Sequence, residues 1–187
     1  LKVSKVLLES TSKQSELYFM LQDKDLSDEE ILAKQDEVNE KIESKLKSLL
    51  SQESYEDLRD YKESLPEKTL KKSYLNKLQT LNLTDEEKEG ILNTYIKADK
   101  GVNPQNYTTK LNKESLSNLR EYSKMTTTVF EKVIQKSKKV QEKLQAKAKE
   151  ILSPEKLKKL KEIHDNDNKY LEMIKANLPK EKGNKTS

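Results

Sequence analysis

Cysteine and tryptophan are absent from this chain of 187 residues, and glycine and proline occur only three and four times. Without cysteine there is no disulfide, no thiolate nucleophile and no cysteine-ligated zinc site. The scarcity of glycine and proline argues against strands joined by tight turns. These absences do not identify a compartment, because cytosolic proteins and bacterial envelope proteins alike can lack cysteine.

Histidine and arginine are also scarce, which narrows the chemistry that is open to the chain. His164 is the only histidine, so no pair of histidines can form a metal-binding face on a helix. The 37 basic and 33 acidic residues nearly cancel, and Arg59 and Arg120 are the only arginines. Bidentate recognition of guanine or phosphate by arginine is therefore almost excluded, and we expect no nucleic-acid partner.

Long apolar runs are missing as well. No run approaches the roughly 20 residues that cross a bilayer, so we expect no transmembrane span. Peripheral or lipid-anchored association with a membrane stays open. The sequence begins at Leu1 without a methionine, so the lack of a signal peptide carries no information.

The residues that are present combine high charge with a helical pattern. Charged residues make up 37 % and hydrophobic residues 32 % of the chain, against roughly 25 % and 45–50 % (with glycine counted) in typical globular domains. Hydrophobic residues still recur at steps of three and four, as in Leu157, Leu160 and Ile163. Because such a chain cannot surround a thick core, we predict an all-α fold of about seven amphipathic helices in a thin, elongated bundle or cradle.

Three polar segments mark helix starts. Ser27–Glu30 and Thr84–Glu87 each place a hydroxyl at the N-cap and a glutamate at the third helical position, which is the pattern of a capping box. Ser153 precedes Pro154, and proline is well tolerated at the first helical position. Gly101 is expected to end a helix in the left-handed conformation.

These signals predict the helices and the domain organisation. The predicted helices span 2–23, 28–50, 52–64, 66–80, 85–99, 113–151 and 154–178. The longest loop is expected at 102–112, and Pro179 is expected to close the last helix. We expect an N-terminal helical half at 1–80, a C-terminal helical half at 81–179 and a flexible polar tail at 180–187.

The two halves also show a candidate internal repeat. Residues 41–61 and 143–163 align without a gap, and three lysines, two leucines, a serine and a glutamate coincide. Each copy is typical of a helix, a serine-capped break and a second helix, so the N-terminal half would be a degenerate copy. Helices rich in lysine, glutamate and leucine also resemble each other through composition alone, and both interpretations stay open.

The sequence contains no recognisable catalytic or cofactor-binding motif. Phosphate-binding loops, dinucleotide-binding glycine motifs and the hydrolase nucleophile motif are all missing. His164 lies beside Asp165 and Asp167, but the spacing and the glycine of an EF-hand are absent. We expect His164 on a helix surface, where its replacement by alanine would change stability little. We predict no enzyme activity, no cofactor and no metal site.

The candidate partner-binding residues are basic or aromatic. Lysines are dense between residues 143 and 161, where they could face an acidic protein or anionic lipid. Glutamates are interleaved with them, so a solvated face is the alternative. Four of the eight tyrosines lie in the first half, and these side chains suit either a binding surface or the wet edge of a thin core. The residues that we single out are Lys149, Lys156, Lys158, Lys159, Tyr55 and Tyr61.

Two segments resemble the signatures of a known family. LNLTDEEKEGIL at Leu81–Leu92 and AKEILSPEKLKKL at Ala148–Leu160 are similar to the paired motifs of the LTxxQ-type Spy and CpxP periplasmic proteins. Glu87 and Lys156 stand where those motifs have glutamine, and the first 80 residues have no clear counterpart in the family. The resemblance implies an exported protein whose cradle of crossed helices shields unfolded clients without ATP or senses envelope stress.

Two other interpretations remain open. A lipid-anchored or secreted surface protein that binds a host factor, as an adhesin or an immune-evasion protein does, would have the same lysine-rich, tryptophan-free composition. A structural helical scaffold would share it too, and a homodimer is compatible with each interpretation. The expected partner is a protein, either an unfolded client or a host protein, and the expected location is the periplasm or the cell surface.

Overall fold

The computed structural model describes residues 2–20, 26–108 and 111–178, and these residues confirm the predicted all-α class. They contain no strand, and none of their helices is long and apolar enough to cross a membrane. Two short 3-10 helices lie at Gln79–Leu81 and Pro104–Tyr107. The α-helices are α1 (Lys2–Met20), α2 (Asp28–Leu49), α3 (Gln52–Lys77), α4 (Asp85–Lys100), α5 (Lys113–Ser123), α6 (Thr127–Ala148) and α7 (Pro154–Ala176).

The three predicted N-caps are confirmed. Ser27 and Thr84 each accept a hydrogen bond from the backbone N–H three residues on, and the glutamate at that position accepts from the backbone N–H of the cap residue. These are complete capping boxes, which satisfy N–H groups that have no partner inside the helix. Ser153 caps α7 by accepting from the backbone N–H of Lys156, with Pro154 at the first helical position and without the reciprocal bond of a capping box.

Two predicted helix boundaries are wrong because proline does not end α3. The helix runs unbroken from Gln52 to Lys77 with Pro66 inside it, in place of two helices at 52–64 and 66–80. An internal proline removes one backbone hydrogen bond and crowds the preceding turn. Apolar side chains that are buried or half-buried continue on both sides of it, at Leu58 and Leu70, so packing outweighs the local cost.

The predicted long helix at 113–151 is also wrong, because it is broken after Ser123. Met125 adopts a left-handed backbone conformation with φ of 44°, and Thr126 caps α6 by accepting from the N–H of Val129. The apolar stripe of this segment has a gap between Leu119 and Val129. That gap contains three consecutive threonines at its end, and this pattern indicates the break.

Gly101 does not take the predicted left-handed conformation. Its φ is −76° and its ψ is −10°, in the right-handed region. The end of α4 is closed instead by Asp99, whose carbonyl oxygen accepts from the N–H groups of Val102 and Asn103. The left-handed position falls on Asn82, with φ of 46° after the first 3-10 helix, and asparagine tolerates this conformation well. Pro179 and the predicted tail at 180–187 lie outside the described residues.

The helices pack into two units, which interleave along the sequence. The hairpin unit lies within Leu1–Ser64 and Thr108–Ser123, and the bundle unit lies within Leu65–Tyr107 and Lys124–Ser187. This division does not coincide with contiguous halves at 1–80 and 81–179, because the boundary falls inside α3 and α5 belongs with α1 and α2. Both copies of the candidate repeat form helix, break and helix, and their duplication stays a prediction.

The hairpin unit has two small apolar clusters. In the first, α1 and α2 pack through Val6, Ile42 and Leu46, with Tyr55 from the start of α3. In the second, Ile31 of α2 packs against Leu116 of α5. Each cluster is only a few side chains across, which suits the low apolar content of the sequence.

The bundle unit has one larger core. The last turns of α3 and the first 3-10 helix pack with α4, α6 and α7. Gly90 brings α4 so close to the end of α6 that a Cβ atom there would lie 3.3 Å from Cδ1 of Ile151. The buried members of this core are Tyr74, Leu78, Leu81, Leu83, Ile91, Leu144, Ala148, Leu152 and Leu160.

Candidate functional site

The two signature segments meet inside the bundle unit. Leu83 and Leu152, which precede the two capping residues, are both buried in its core. Nζ of Lys156 lies 2.6 Å from Oε2 of Glu87 and so joins the first turn of α7 to the first turn of α4. Glu87 and Lys156 occupy the two positions where the Spy and CpxP motifs have glutamine. The two residues that differ from the motifs therefore form an ion pair with each other.

Glu87 has two roles in this pair. The same Oε2 atom accepts a hydrogen bond of 2.8 Å from the backbone N–H of Thr84 and thereby completes the capping box. The ammonium group of Lys156 and this N–H both hold the pKa of Glu87 below its usual value. The side chains of Lys156 and Glu87 are only 25 % and 17 % exposed. Lys156 is therefore engaged in holding two helix starts together.

His164 is the second polar feature of the bundle unit, and the prediction of a surface histidine is wrong. Its relative exposure is 1 %. Nε2 lies 2.9 Å from Oη of Tyr74 on α3, and Nδ1 lies 2.9 Å from Nε2 of Gln145 on α6. Because the amide nitrogen of Gln145 can only donate, Nδ1 accepts and the ring is neutral, with its Nε2–H donating to Tyr74.

Burial dominates the ionisation of this cluster. It lowers the pKa of His164 to about 4, against an opposing effect of Asp167 and a smaller lowering by Lys77. Burial also raises the pKa of Tyr95 to about 12 and lifts the pKa of Tyr74 well above its usual range. The rings of Tyr74 and Tyr95 stack with their centroids 3.9 Å apart. The cluster is thus uncharged at neutral pH.

The burial of His164 was not predicted because this residue belongs to a row of polar residues on the packed face of α7. The gap in the apolar stripe of α7 is filled by polar residues on the same face: His164 follows Leu160 by one turn, and Asn168 follows His164 by another. Asn168 donates to Oε1 of Gln141 at 2.8 Å, one turn from Gln145 on α6. The regular four-residue spacing was the signal that these polar residues belong to the packed face.

The acidic residues next to His164 form no recognisable metal site. Asp167 pairs with Lys77 of α3, with Oδ2 and Nζ 2.6 Å apart, and Asp165 is exposed. Within residues 2–20, 26–108 and 111–178, no three acidic, histidine or cysteine side chains are grouped so that they could hold an ion. Asp167 therefore forms part of an ion pair that joins α3 to α7.

The four predicted lysines lie in the bundle unit but differ in their surroundings. Lys149 is exposed at the end of α6, and Lys158 is exposed on α7. Lys159 pairs with Glu155 one turn earlier, with Nζ and Oε1 2.9 Å apart. Lys156 is largely covered, so Lys149 and Lys158 are the predicted lysines that are exposed and for which no ion pair is described. Their role in partner binding stays a prediction.

The two predicted tyrosines lie in the hairpin unit. Tyr55 is buried in the first apolar cluster, and Nζ of Lys47 lies 5.2 Å from its ring centroid. Tyr61 is 54 % exposed on α3. The environment of Tyr55 is that of a core residue, while Tyr61 offers an accessible ring.

Sequence reasoning missed the most exposed apolar side chains. On α7, Tyr170 is 60 % exposed and Met173, one turn later, is 56 % exposed. On α1, Leu8 is 71 % exposed and Phe19 is 69 % exposed, and a separation of three helical turns places them on one face. Each pair lies outside the buried stripe of its helix. This position relative to the stripe was the sequence feature that could have predicted their exposure.

The fold and the site thus define an all-α protein with two paired helix starts and a buried histidine cluster. Comparisons with protein-family models, curated proteins and solved structures found no match. The resemblance to Spy and CpxP therefore rests on the residues of the two signature segments alone.

Proposed function

We propose that this chain is a non-enzymatic, exported protein that binds unfolded protein clients without ATP, in the manner expected of a Spy-like envelope chaperone. One observation carries the proposal: the two signature segments contribute to one core, and Glu87 and Lys156 join their helix starts. Packing of both segments in one core supports treating them as a functional pair of motifs.

The exposed part of α7 supplies a surface that suits such clients. Tyr170 and Met173 present apolar area, and Lys158 adds positive charge on the same helix. Flexible methionine and amphipathic tyrosine side chains adapt to many sequences, and this adaptability favours broad binding. Positive charge speeds the encounter with acidic segments and makes binding sensitive to salt.

Light scattering from a denatured or reduced test protein, recorded without ATP, tests this function. We expect suppression of aggregation at near-stoichiometric ratios. Replacing Tyr170 and Met173 together by serine should weaken the suppression severalfold, because it removes exposed apolar area from the proposed surface. The fold should stay intact, since both side chains are exposed. The matched control replaces the exposed, oppositely charged neighbours Lys161 and Glu162 of the same helix by serine. No suppression by the unaltered protein would refute the proposal.

Charge reversal tests the basic contribution separately. Changing Lys149 and Lys158 to glutamate should reduce suppression, and added salt should reduce it in the unaltered protein. The control reverses Lys72 and Lys97, two exposed lysines of the same unit, and produces the same change in net charge. Equal losses in the two variants would show that net charge, and not the predicted surface, is responsible.

A surface protein that binds one folded host protein is the second candidate. Leu8 and Phe19 of α1 favour it, because large exposed apolar side chains are typical of specific interfaces. Replacing both by serine should then abolish binding to that protein and leave suppression of aggregation unchanged. The reverse pattern would favour the client-binding surface on α7.

A further inference from the structure

The only histidine of the chain lies where three helices of the bundle unit meet. His164 of α7 is bonded to Tyr74 of α3 and to Gln145 of α6, and each ring nitrogen lies 2.9 Å from its partner. Only the neutral ring satisfies both bonds, because the N–H of Gln145 points at Nδ1. A proton added at Nδ1 would oppose this N–H, break one bond between helices and place a charge in a buried site.

The groups around the ring compensate such a charge only in part, since burial outweighs the effect of Asp167. From α3, Lys77 and Tyr74 face the site, and Lys77 carries a positive charge. From α4, Tyr95 stacks on Tyr74, and from α6 the facing group is the uncharged amide of Gln145. From α7 come Asp165, which is exposed, and Asp167, whose carboxylate already pairs with Lys77.

The part of α7 that follows His164 is held by polar contacts and by apolar side chains that are only half-buried, Leu171 and Ile174. Leu160 and His164 are the buried residues of this helix. Beyond them, Asn168 bonds Gln141, and Nζ of Lys138 lies 3.8 Å from Oε1 of Glu172, with both of these charged side chains nearly half exposed. Hydrogen bonds and exposed ion pairs give little net stabilisation compared with apolar burial. His164 is thus the last buried attachment of the helix.

We propose that His164 is an acid-sensitive latch, whose protonation releases the C-terminal half of α7 from α3 and α6. The neutral ring closes the latch at neutral pH. The imidazolium loses the bond from Gln145 and leaves its buried position, and the segment 165–176 follows because none of its own side chains is buried. The first turns of α7 stay in the core through Leu160.

The expected size of the effect follows from linkage. The ring titrates near 6.5 when exposed and near 4 when buried, so a fall in pH through this range favours the open state. Stability from the latch is complete above the unfolded pKa and is lost as the pH falls through the folded pKa. Between pH 7 and pH 4.5 the opening equilibrium should rise about 50-fold.

Hydrogen exchange and a single NMR resonance test the latch. After correction for intrinsic exchange, amides of 165–176 should lose protection on acidification far more than amides of α2, which belongs to the histidine-free hairpin unit. His164→Gln keeps a donor and an acceptor but cannot titrate here, so it should remove most of this pH dependence. If His164→Gln retains the full pH dependence, carboxylates cause it and the proposal is overturned.

Direct titration keeps the proposal testable even if His164→Gln folds poorly. The imidazole signals in the NMR spectrum come from one residue, and we expect them to report a neutral ring down to about pH 5. Gln145→Glu would replace a donor by a carboxylate that stabilises the imidazolium, so the histidine pKa should rise and acid should loosen 165–176 less. An ordinary histidine titration near pH 6.5 in the unaltered protein, or an unchanged pKa in Gln145→Glu, would contradict the latch.

Discussion

The hairpin unit and the bundle unit differ in the polar contacts that join their helices. In the hairpin unit, Lys45 of α2 pairs with Glu9 of α1, and both side chains are nearly half exposed. In the bundle unit, His164 and Tyr74 meet in a buried hydrogen bond. Exposed pairs are weak and screened by salt, whereas buried groups are costly to leave without a partner. The two units should therefore respond to different changes in solution.

The apolar cores of the two units also differ, because the core of the bundle unit is larger and continuous. Two separate clusters of a few residues hold the hairpin unit, while a single cluster around Leu144 and Leu160 holds the bundle unit. Both of these leucines are fully buried. A larger continuous core gives more stability per residue, because a greater fraction of each side chain leaves water. We expect the bundle unit to be the last part of the chain to unfold.

The largest expected effect is a loss of core packing in the bundle unit. Leu144→Ala should destabilise it by about 4 kcal/mol, because the transfer free energy and a cavity both contribute. Leu46→Ala makes the same change in the hairpin unit, where Leu46 is almost as well buried. It should cost about 2 kcal/mol, since a small cluster near solvent collapses more easily. Unit-resolved hydrogen exchange in denaturant would measure both, and equal losses would contradict the comparison.

The second effect concerns buried polar groups. His164→Ala should destabilise the bundle unit by about 3 kcal/mol, because it leaves a cavity and strands the partners on Tyr74 and Gln145. The matched change in the hairpin unit is Gln35→Ala. Gln35 is also buried, but its amide bonds Asn39 of the same helix, so this change should cost about 1 kcal/mol or less. A negligible cost for His164→Ala would show that the cluster contributes no stability.

Local signals in the sequence were sufficient for the helix starts. Ser27, Thr84 and Ser153 cap helices as predicted, because an N-cap depends only on a hydroxyl or carboxylate within three residues of the N–H groups that it satisfies. The same locality explains the correct helical class. Periodic apolar residues identify a helix wherever its partners lie.

Features that depend on distant partners could not be predicted. Pro66 lies within α3, although proline usually ends a helix, and only tertiary packing decides between the two outcomes. His164 looked like a surface residue because its neighbours in sequence are polar. Its partners, Tyr74 and Gln145, lie 90 and 19 residues away. The pairing of Glu87 with Lys156, 69 residues apart, was hidden for the same reason.

The third effect tests whether caps act independently in the two units. Ser27→Ala in the hairpin unit and Thr84→Ala in the bundle unit should each cost about 1 kcal/mol. Because no residue is shared between the two capping boxes, the costs should add within about 0.5 kcal/mol in the double variant. Replacement of both residues by asparagine, itself a good N-cap, is the control and should change stability little. Clear non-additivity would mean that the two caps are energetically coupled.

The smallest effect compares one ion pair from each unit. Glu29 pairs with Lys113 in the hairpin unit, with side chains 67 % and 68 % exposed, and Glu87 pairs with Lys156 in the bundle unit, where both are mostly covered. In each case the lysine is the main cause of a lowered glutamate pKa. Lys113→Met and Lys156→Met should therefore each raise the pKa of the partner carboxyl. Carboxyl-carbon NMR titration would measure both values.

Salt should separate the two pairs. About 1 M salt reduces the Debye length to about 3 Å. Salt should therefore raise the pKa of Glu29 by most of the amount that Lys113→Met raises it. The pKa of Glu87 should move less, because Lys156 is covered and Thr84 still donates its N–H. The stabilisation from each lowered pKa is present at neutral pH and is lost as the pH falls through the folded pKa. Equal salt shifts would show that the link between the two helix starts is an ordinary surface ion pair, and the observation behind the proposed function would lose its weight.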